Sequence, residues 1–128
     1  MTTVLLVDDE KLILRSLEKT LLRAGFDVLT AVDCKSGSEI FAQNSGTINI
    51  AVLDLNMPAF DGMPKTGAGL DLLDDLKKQK NELPVVILTA YDEVNKAKDA
   101  VSRGASAFFV KGREQGLVEL IQKILNEK

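Results

Sequence analysis

Short apolar runs alternate with segments of helical periodicity along the whole chain, and this alternation limits the fold more than any other feature. Each run is rich in Val, Ile, Leu or Phe and is bounded by Gly, Pro or charged residues, as β-strands are. The intervening segments place apolar residues three or four positions apart, as amphipathic helices do. The pattern therefore predicts repeated strand-helix units around a parallel sheet. The predicted strands are residues 3–7, 27–32, 49–53, 84–88 and 106–110.

Five predicted helices complete a (βα)5 pattern. The first runs from about Lys11 to Ala24 and stops at Gly25, because glycine readily adopts the left-handed conformation found after a helix C-terminus. The start of the second is open: Ser36 and Glu39 have the spacing of a capping box, and Asp33 could cap the helix instead. The remaining three are marked by apolar side chains at helical spacing: Leu70, Leu73 and Leu76; Val94, Ala97 and Val101; Leu117, Leu120, Ile121 and Ile124.

The composition is that of one globular domain. A chain of 128 residues, 45% hydrophobic and 27% charged, predicts a single domain spanning residues 1–128. No apolar run could span a bilayer and no signal-peptide pattern is present, so we expect a cytoplasmic protein. A net charge of -3 argues against direct binding of nucleic acid or an anionic membrane. The single Cys34 cannot form an internal disulfide, and the absence of histidine excludes Ser-His and Cys-His catalysis and histidine zinc sites.

Acidic, hydroxyl and basic side chains follow four of the predicted strands. The first strand runs into Asp8 and Asp9, the third ends at Asp54, Thr89 follows the fourth, and Lys111 follows the fifth. Parallel strands with right-handed crossovers all end at one sheet edge, where open α/β sheets bind ligands. No Gly-rich phosphate loop follows the first strand, and the carboxylates would repel a phosphate unless a cation intervened. Because oxygen ligands favour Mg²⁺, the sequence predicts a magnesium-dependent site that accepts a phosphoryl group.

These motifs resemble those of the response-regulator receiver domains of two-component signalling, and the resemblance covers essentially all 128 residues. It implies a flavodoxin-like, doubly wound sheet of five parallel strands in the order 2-1-3-4-5. It also implies that Asp54 takes a phosphoryl group from a sensor histidine kinase or a histidine phosphotransfer protein. The matching motifs are Asp8-Asp9, Asp54 with Asn56-Met57-Pro58, Thr89-Ala90, and Lys111.

Roles for the remaining site residues are implied by the same resemblance. Asp9, Asp54 and the backbone carbonyl of Asn56 would bind Mg²⁺, with Asp8 assisting through water. The family uses residues at the positions of Asn56 and Tyr91 to influence how long the phosphoryl group survives. We predict that Tyr91 shields the site and slows hydrolysis.

The phosphoryl oxygens and the switch involve the other strand ends. Lys111, a compact flexible charge, is expected to pair with Asp54 before transfer and with the phosphoryl oxygens afterwards. The Thr89 hydroxyl and the backbone N–H of Ala90 are expected to donate to the same oxygens. Phe108 resembles the switch aromatic that turns inward as the hydroxyl moves, although a core role for Phe108 is the favoured alternative. The implied output is a change at the face of helix four, strand five and helix five, where an effector domain or a second copy would bind.

Three classes of function are open from the sequence. The first is a phosphorylatable switch that catalyses only its own phosphorylation and dephosphorylation. The second is a receiver-shaped binding module that no longer uses phosphate, which the complete set of acids, threonine and lysine argues against. The third is a haloacid-dehalogenase-like phosphatase, for which Asp8 and Glu10 are a poor match. The chain is either a stand-alone regulator or a receiver from a longer protein, and we favour the latter.

Two features depart from the family pattern. The loop 59–69 after the acceptor is about seven residues longer than usual, whereas such connections usually have about two to six. A tolerated surface insertion is the favoured interpretation, because loop lengthening has a small entropic cost. The alternative is a flap in which Lys65 hangs over Asp54 and limits access of partners or water. The second departure is Gly112, which replaces the proline usual after the lysine and favours a trans bond or a more mobile loop.

Overall fold

A parallel sheet lies at the centre of the computed structural model, which describes residues 2–127. In chain order, the strands of the described residues are β1 (Thr3–Val7), β2 (Asp27–Ala31), β3 (Ile48–Asp54), β4 (Met57–Pro58), β5 (Pro64–Lys65), β6 (Val85–Thr89) and β7 (Ala107–Val110). Five of these form the main sheet in the order β2-β1-β3-β6-β7, and all its neighbours pair in parallel. The predicted fold and strand order are confirmed, with β6 and β7 as the predicted fourth and fifth strands.

Helices cover both faces of this sheet. They are α1 (Lys11–Arg23), α2 (Cys34–Asn44), α3 (Ala68–Gln79), α4 (Val94–Ser102) and α5 (Glu114–Asn126). One apolar core lies between the sheet and α2, α3 and α4, and the other lies between the sheet and α1 and α5. Because side chains alternate along a strand, Leu53 enters the first core and Val52 the second. Both faces of the central strands are therefore buried, as parallel sheets require.

Local signals explain the ends of the first two helices. The C-terminus of α1 is closed by hydrogen bonds from Gly25 N to Leu22 O and from Phe26 N to Leu21 O, and Gly25 has a φ of 96°. This arrangement is the left-handed C-terminal cap that the sequence predicts. At the start of α2, the Asp33 side chain accepts a hydrogen bond of 2.8 Å from the Ser36 backbone N–H. Asp33 is therefore the cap, the second of the two alternatives.

The long loop after β3 is a closed antiparallel hairpin. In this hairpin, Met57 pairs with Lys65 and Pro58 pairs with Pro64. Its turn is closed by a hydrogen bond of 2.9 Å from Ala59 N to Met63 O. The segment 57–65, called the hairpin insertion below, thus satisfies much of its own backbone before α3 begins.

The segment that leaves β7 keeps a trans geometry. No peptide bond among the described residues is cis, so the bond between Lys111 and Gly112 is trans. Gly112 has a φ of 126°, a value that side chains with a Cβ rarely adopt. Glycine at this position therefore turns the chain from β7 towards α5 without a cis bond. None of the helices in residues 2–127 is both long enough and apolar enough to span a membrane.

Candidate functional site

The C-terminal ends of β1, β3, β6 and β7 bring their polar side chains to one edge of the sheet. Asp8 follows β1 and Asp54 ends β3, and both are almost fully buried. Thr89 ends β6 and is also buried, while Lys111 follows β7 and is half-buried. The structure thus brings together four of the residues that the sequence analysis predicts to share a site.

Lys111 lies at the centre of the acidic side chains. Its Nζ is 3.0 Å from Glu10 Oε1, 3.1 Å from Asp54 Oδ1 and 3.3 Å from Asp8 Oδ2. Only 20% of its side chain is exposed, so these charges interact through a medium that is less polar than water. One ammonium group therefore faces three carboxylates, and the cluster carries an excess of negative charge.

The carboxylate of Asp8 is not fully satisfied by protein groups. Its Oδ1 accepts a hydrogen bond of 2.9 Å from Glu10 N. Its Oδ2 is buried and forms an ion pair with Lys111 Nζ at 3.3 Å, but this contact does not have the geometry of a hydrogen bond. Oδ2 therefore has no hydrogen-bond partner. A buried charged oxygen without a hydrogen bond is costly, and a bound cation would remove that cost.

Burial and like charge both perturb Asp54. Burial raises the pKa of the Asp54 carboxyl to about 7, and the neighbouring charge of Asp8 contributes in the same direction, while Lys111 opposes both effects. Burial also acts to lower the pKa of Lys111, but the hydrogen bond with Glu10 and the charges of Asp54 and Asp8 raise it above its ordinary value. Lys111 therefore stays charged, whereas the Asp54 carboxyl, without a bound cation, gains or loses its proton near neutral pH.

The acids have the arrangement of a cation site. One carboxylate oxygen from each of Asp8, Glu10 and Asp54 lies within 4.8 Å of the others. A donor set made only of oxygen atoms fits Mg²⁺, which accepts a few carboxylates and completes its shell with water. This donor set and the orphaned Asp8 oxygen together fit the predicted magnesium ion.

Glu10 is absent from the predicted metal ligands, yet it joins this group while Asp9 does not. Glu10 has an extended backbone, with φ of -84° and ψ of 97°, at the N-cap of α1. Asp9 and Glu10 are both exposed, but only Glu10 has a carboxylate oxygen within the group formed with Asp8 and Asp54. The spacing of Asp8 and Glu10 is the sequence signal that could have identified Glu10. Metal binding by Asp9 stays a prediction.

The predicted switch residues Thr89 and Phe108 lie on β6, which pairs with the acceptor strand β3, and on β7, which pairs with β6. Thr89 Oγ1 donates a hydrogen bond of 3.1 Å to Ala90 O, and Ala90 itself is exposed. Phe108 is half-buried and packs against the core beneath α3 and α4. Tyr91 is 85% exposed, so its side chain packs against little of the protein. The roles of these four residues stay predictions.

The segment that leaves Asp54 is held by a side-chain amide. Asn56 Oδ1 accepts a hydrogen bond of 2.8 Å from Gly67 N, and Asn56 Nδ2 donates one of 2.7 Å to Glu93 Oε1. Lys65, which the alternative interpretation of the loop places over Asp54, instead pairs with Asp71 at 2.5 Å. The amide therefore links the base of the hairpin insertion to the segment before α4.

Gly69 is a second residue that the sequence analysis missed. A Cβ at this position would lie 2.1 Å from the Asp54 carbonyl oxygen, so only glycine fits where α3 meets the end of β3. Its backbone N–H also donates to Leu55 O at 2.8 Å. By contrast, a Cβ at Gly62 in the hairpin turn would meet open space. Gly69, rather than Gly62, therefore packs against the end of the acceptor strand.

Many known proteins are similar to this chain in sequence or in fold. The family model described as "Response regulator receiver domain" matches residues 4–124. The chain is 39% identical over 111 residues to the transcriptional regulatory protein PrrA of Mycobacterium bovis, an alignment that covers 84% of this chain and 42% of the relative. The chain thus spans less than half the length of this relative.

Solved structures agree over nearly the full length. A response regulator receiver domain protein from Clostridium thermocellum superposes with a TM-score of 0.88 at 30% identity, covering 99% of this chain and 96% of the other. The receiver domain of NtrX from Brucella abortus gives a TM-score of 0.81 at 31% identity, covering 98% and 99%. The strand order, the acidic site and these matches lead to one conclusion: the chain belongs to the response regulator receiver domains of two-component signalling.

Proposed function

We propose that Asp54 accepts a phosphoryl group from the phosphohistidine of a sensor histidine kinase or phosphotransfer protein. The contact that carries the proposal is the 3.1 Å ion pair between Lys111 and Asp54 Oδ1, within a cluster where Asp54 is the acid at the end of β3. In the transfer, the bond from phosphorus to the histidine nitrogen breaks and a bond from phosphorus to an Asp54 oxygen forms. Such a reaction needs alignment and charge neutralisation more than acid or base catalysis.

The site residues divide this work. Lys111 favours the ionised form of Asp54 and can follow the charge onto the phosphoryl oxygens, because its long side chain is flexible. A Mg²⁺ held by Asp8, Glu10 and Asp54, with Asp9 and the Asn56 carbonyl as further proposed ligands, would offset the remaining phosphoryl charge. Thr89 and the backbone N–H of Ala90 would donate to the other oxygens. The domain would thus act on itself and need not turn over a separate substrate.

The aspartyl phosphate adds nearly two negative charges beside Thr89, and this change can move the segment that follows β6. Phe108 lies on the neighbouring strand, so inward movement of Thr89 would open space for its ring. We propose that the face formed by α4, β7 and α5 then changes its contacts with an effector domain or a second copy. We also propose that residues 1–128 form the whole receiver unit and that it works in the cytoplasm with its kinase.

Labelling with acetyl phosphate and Mg²⁺ tests the proposal. The label is expected on Asp54, and Asp54→Asn is expected to remove it, while Asp27→Asn at the opposite edge of the sheet should leave it unchanged. A label on Asp8 would instead support a phosphatase of the haloacid-dehalogenase kind. No label with any phosphoryl donor would support a binding module without phosphorylation.

A further inference from the structure

Glu93 makes a contact that its own helix does not explain. It ends the 3-10 turn Tyr91–Glu93 and occupies the N-cap position of α4, where a side chain ordinarily bonds to the first turn. Its carboxylate makes no such bond. Instead, Oε1 accepts the hydrogen bond of 2.7 Å from Asn56 Nδ2, and Oε2 lies 3.7 Å from Lys96 Nζ. The carboxylate therefore holds a residue that follows the neighbouring strand β3.

Asn56 is held at both ends of its amide. The oxygen accepts from Gly67 N at 2.8 Å, and Gly67 is the N-cap of α3 at the base of the hairpin insertion. The nitrogen donates to a charged acceptor, and such bonds are stronger than those between neutral groups. One amide, two residues after the acceptor, thus joins the base of the hairpin insertion to the turn that follows Thr89.

The restraint bears on the fate of an aspartyl phosphate. Its hydrolysis needs a water in line with the bond between phosphorus and the Asp54 oxygen. That water forms the new bond to phosphorus, the bond to Asp54 breaks, and inorganic phosphate leaves. Asn56 follows the strand that ends at Asp54, and the turn Tyr91–Glu93 follows the strand that ends at Thr89. A bond between them keeps the two segments together.

We propose that Glu93 is a positioning residue that prolongs the life of the aspartyl phosphate by holding the Asn56 amide between the two segments. The inference rests on the proposed phosphorylation of Asp54. Glu93 does not touch the reacting atoms; it acts through Asn56. Its loss frees the amide and lets the turn before α4 separate from the base of the hairpin insertion, which admits water.

The test measures loss of phosphate from the full chain after phosphorylation with acetyl phosphate and Mg²⁺ and removal of the donor. Glu93→Ala is expected to speed the loss about 3- to 10-fold, the equivalent of the net contribution of one ordinary hydrogen bond. Glu93→Gln keeps an oxygen that can accept from Asn56, so its rate should stay within about 2-fold of wild type. Asp92→Ala removes an exposed neighbouring acid and serves as the matched control. In Asn56→Ala/Glu93→Ala, the loss should be no faster than in Asn56→Ala.

Several results would overturn the inference. One is a Glu93→Ala rate within about 2-fold of wild type, and another is independent, multiplying effects of the two alanine substitutions. Equal acceleration by Glu93→Gln and Glu93→Ala would assign the effect to charge at the start of α4. If Glu93→Ala does not fold, Asn56→Ala breaks the same contact from the other side, and an unchanged rate there would be equally decisive. A wild-type chain that takes no label at Asp54 contradicts the proposed function instead, before any rate is compared.

Discussion

The buried carboxylate of Asp54 is expected to make the metal-free protein less stable as the pH rises. Its pKa is raised from 3.8 to about 7, mainly by burial and then by Asp8, so the folded state binds a proton that the unfolded state has released. The contribution of Asp54 to the free energy of unfolding is therefore most favourable below pH 3.8, and it is lost as the pH rises towards 7. The amide introduced by Asp54→Asn cannot ionise, so the substitution removes this pH dependence.

The magnitude follows from the shift. A difference of about 3 pKa units corresponds to about 4 kcal/mol once Asp54 is ionised, and about 2 kcal/mol of this is already present at pH 5. Because Asp54 is only 5% exposed, solvent screens little of this electrostatic free energy. In EDTA at pH 7.5, Asp54→Asn should exceed the wild type in free energy of unfolding by about 2 to 4 kcal/mol. The excess should shrink by about 2 kcal/mol at pH 5.

Urea unfolding at pH 5, 6, 7 and 7.5, followed by circular dichroism, measures this difference. Asp27→Asn changes an exposed acid at the other end of the sheet and should follow the wild-type pH profile. Mg²⁺ should stabilise the wild type more than Asp54→Asn and so reduce the gap, because it binds the ionised folded state. Parallel pH profiles for wild type and Asp54→Asn, or a less stable Asp54→Asn at pH 7.5, would refute the reasoning.

Three further predictions follow from contacts elsewhere in the fold. Gly69→Ala should lower the free energy of unfolding by about 3 kcal/mol or more and impair labelling of Asp54, because the new Cβ would overlap the Asp54 carbonyl. The control Gly46→Ala places its Cβ in open space and should change the stability in urea unfolding by less than about 1 kcal/mol. Burial raises the pKa of the Cys34 thiol to about 12, so a thiol reagent at pH 8 should modify it only after unfolding, and rapid modification of the native protein would contradict its burial. Glu114→Ala should cost about 1 to 2 kcal/mol in thermal or urea unfolding, because two hydroxyl groups of α1 lose their shared acceptor, and a change near zero would show that this link between α1 and α5 is dispensable.

The architecture could be predicted because its signals are local. Strand and helix periodicities alternate along the chain, and the order of the sheet follows from the family that the strand-end motifs resemble. The four strand-end residues Asp8, Asp54, Thr89 and Lys111 needed only the rule that parallel strands end at one edge. Their meeting in space is a consequence of topology, so it is visible before any coordinates exist.

Pairings between distant loops had no such local signal. Asn56 and Glu93 are 37 residues apart, and nothing near Glu93 distinguishes it from an ordinary acid at the start of a helix. Glu10 was overlooked for a different reason, since the resemblance directs attention to the pair Asp8 and Asp9. Which acids join the cluster depends on how the chain turns between the end of β1 and the start of α1.

The hairpin insertion and Gly69 differ in how much change the fold allows after Asp54. Met57 and Lys65 pair across the hairpin, so residues can be added between them without separating its two ends. Gly69 has no comparable freedom, because any Cβ there would lie 2.1 Å from the Asp54 carbonyl oxygen. The chain after Asp54 can therefore lengthen, provided that glycine stands where α3 meets β3. The length of the insertion is thus tolerated by the fold, and the position of Gly69 is required by it.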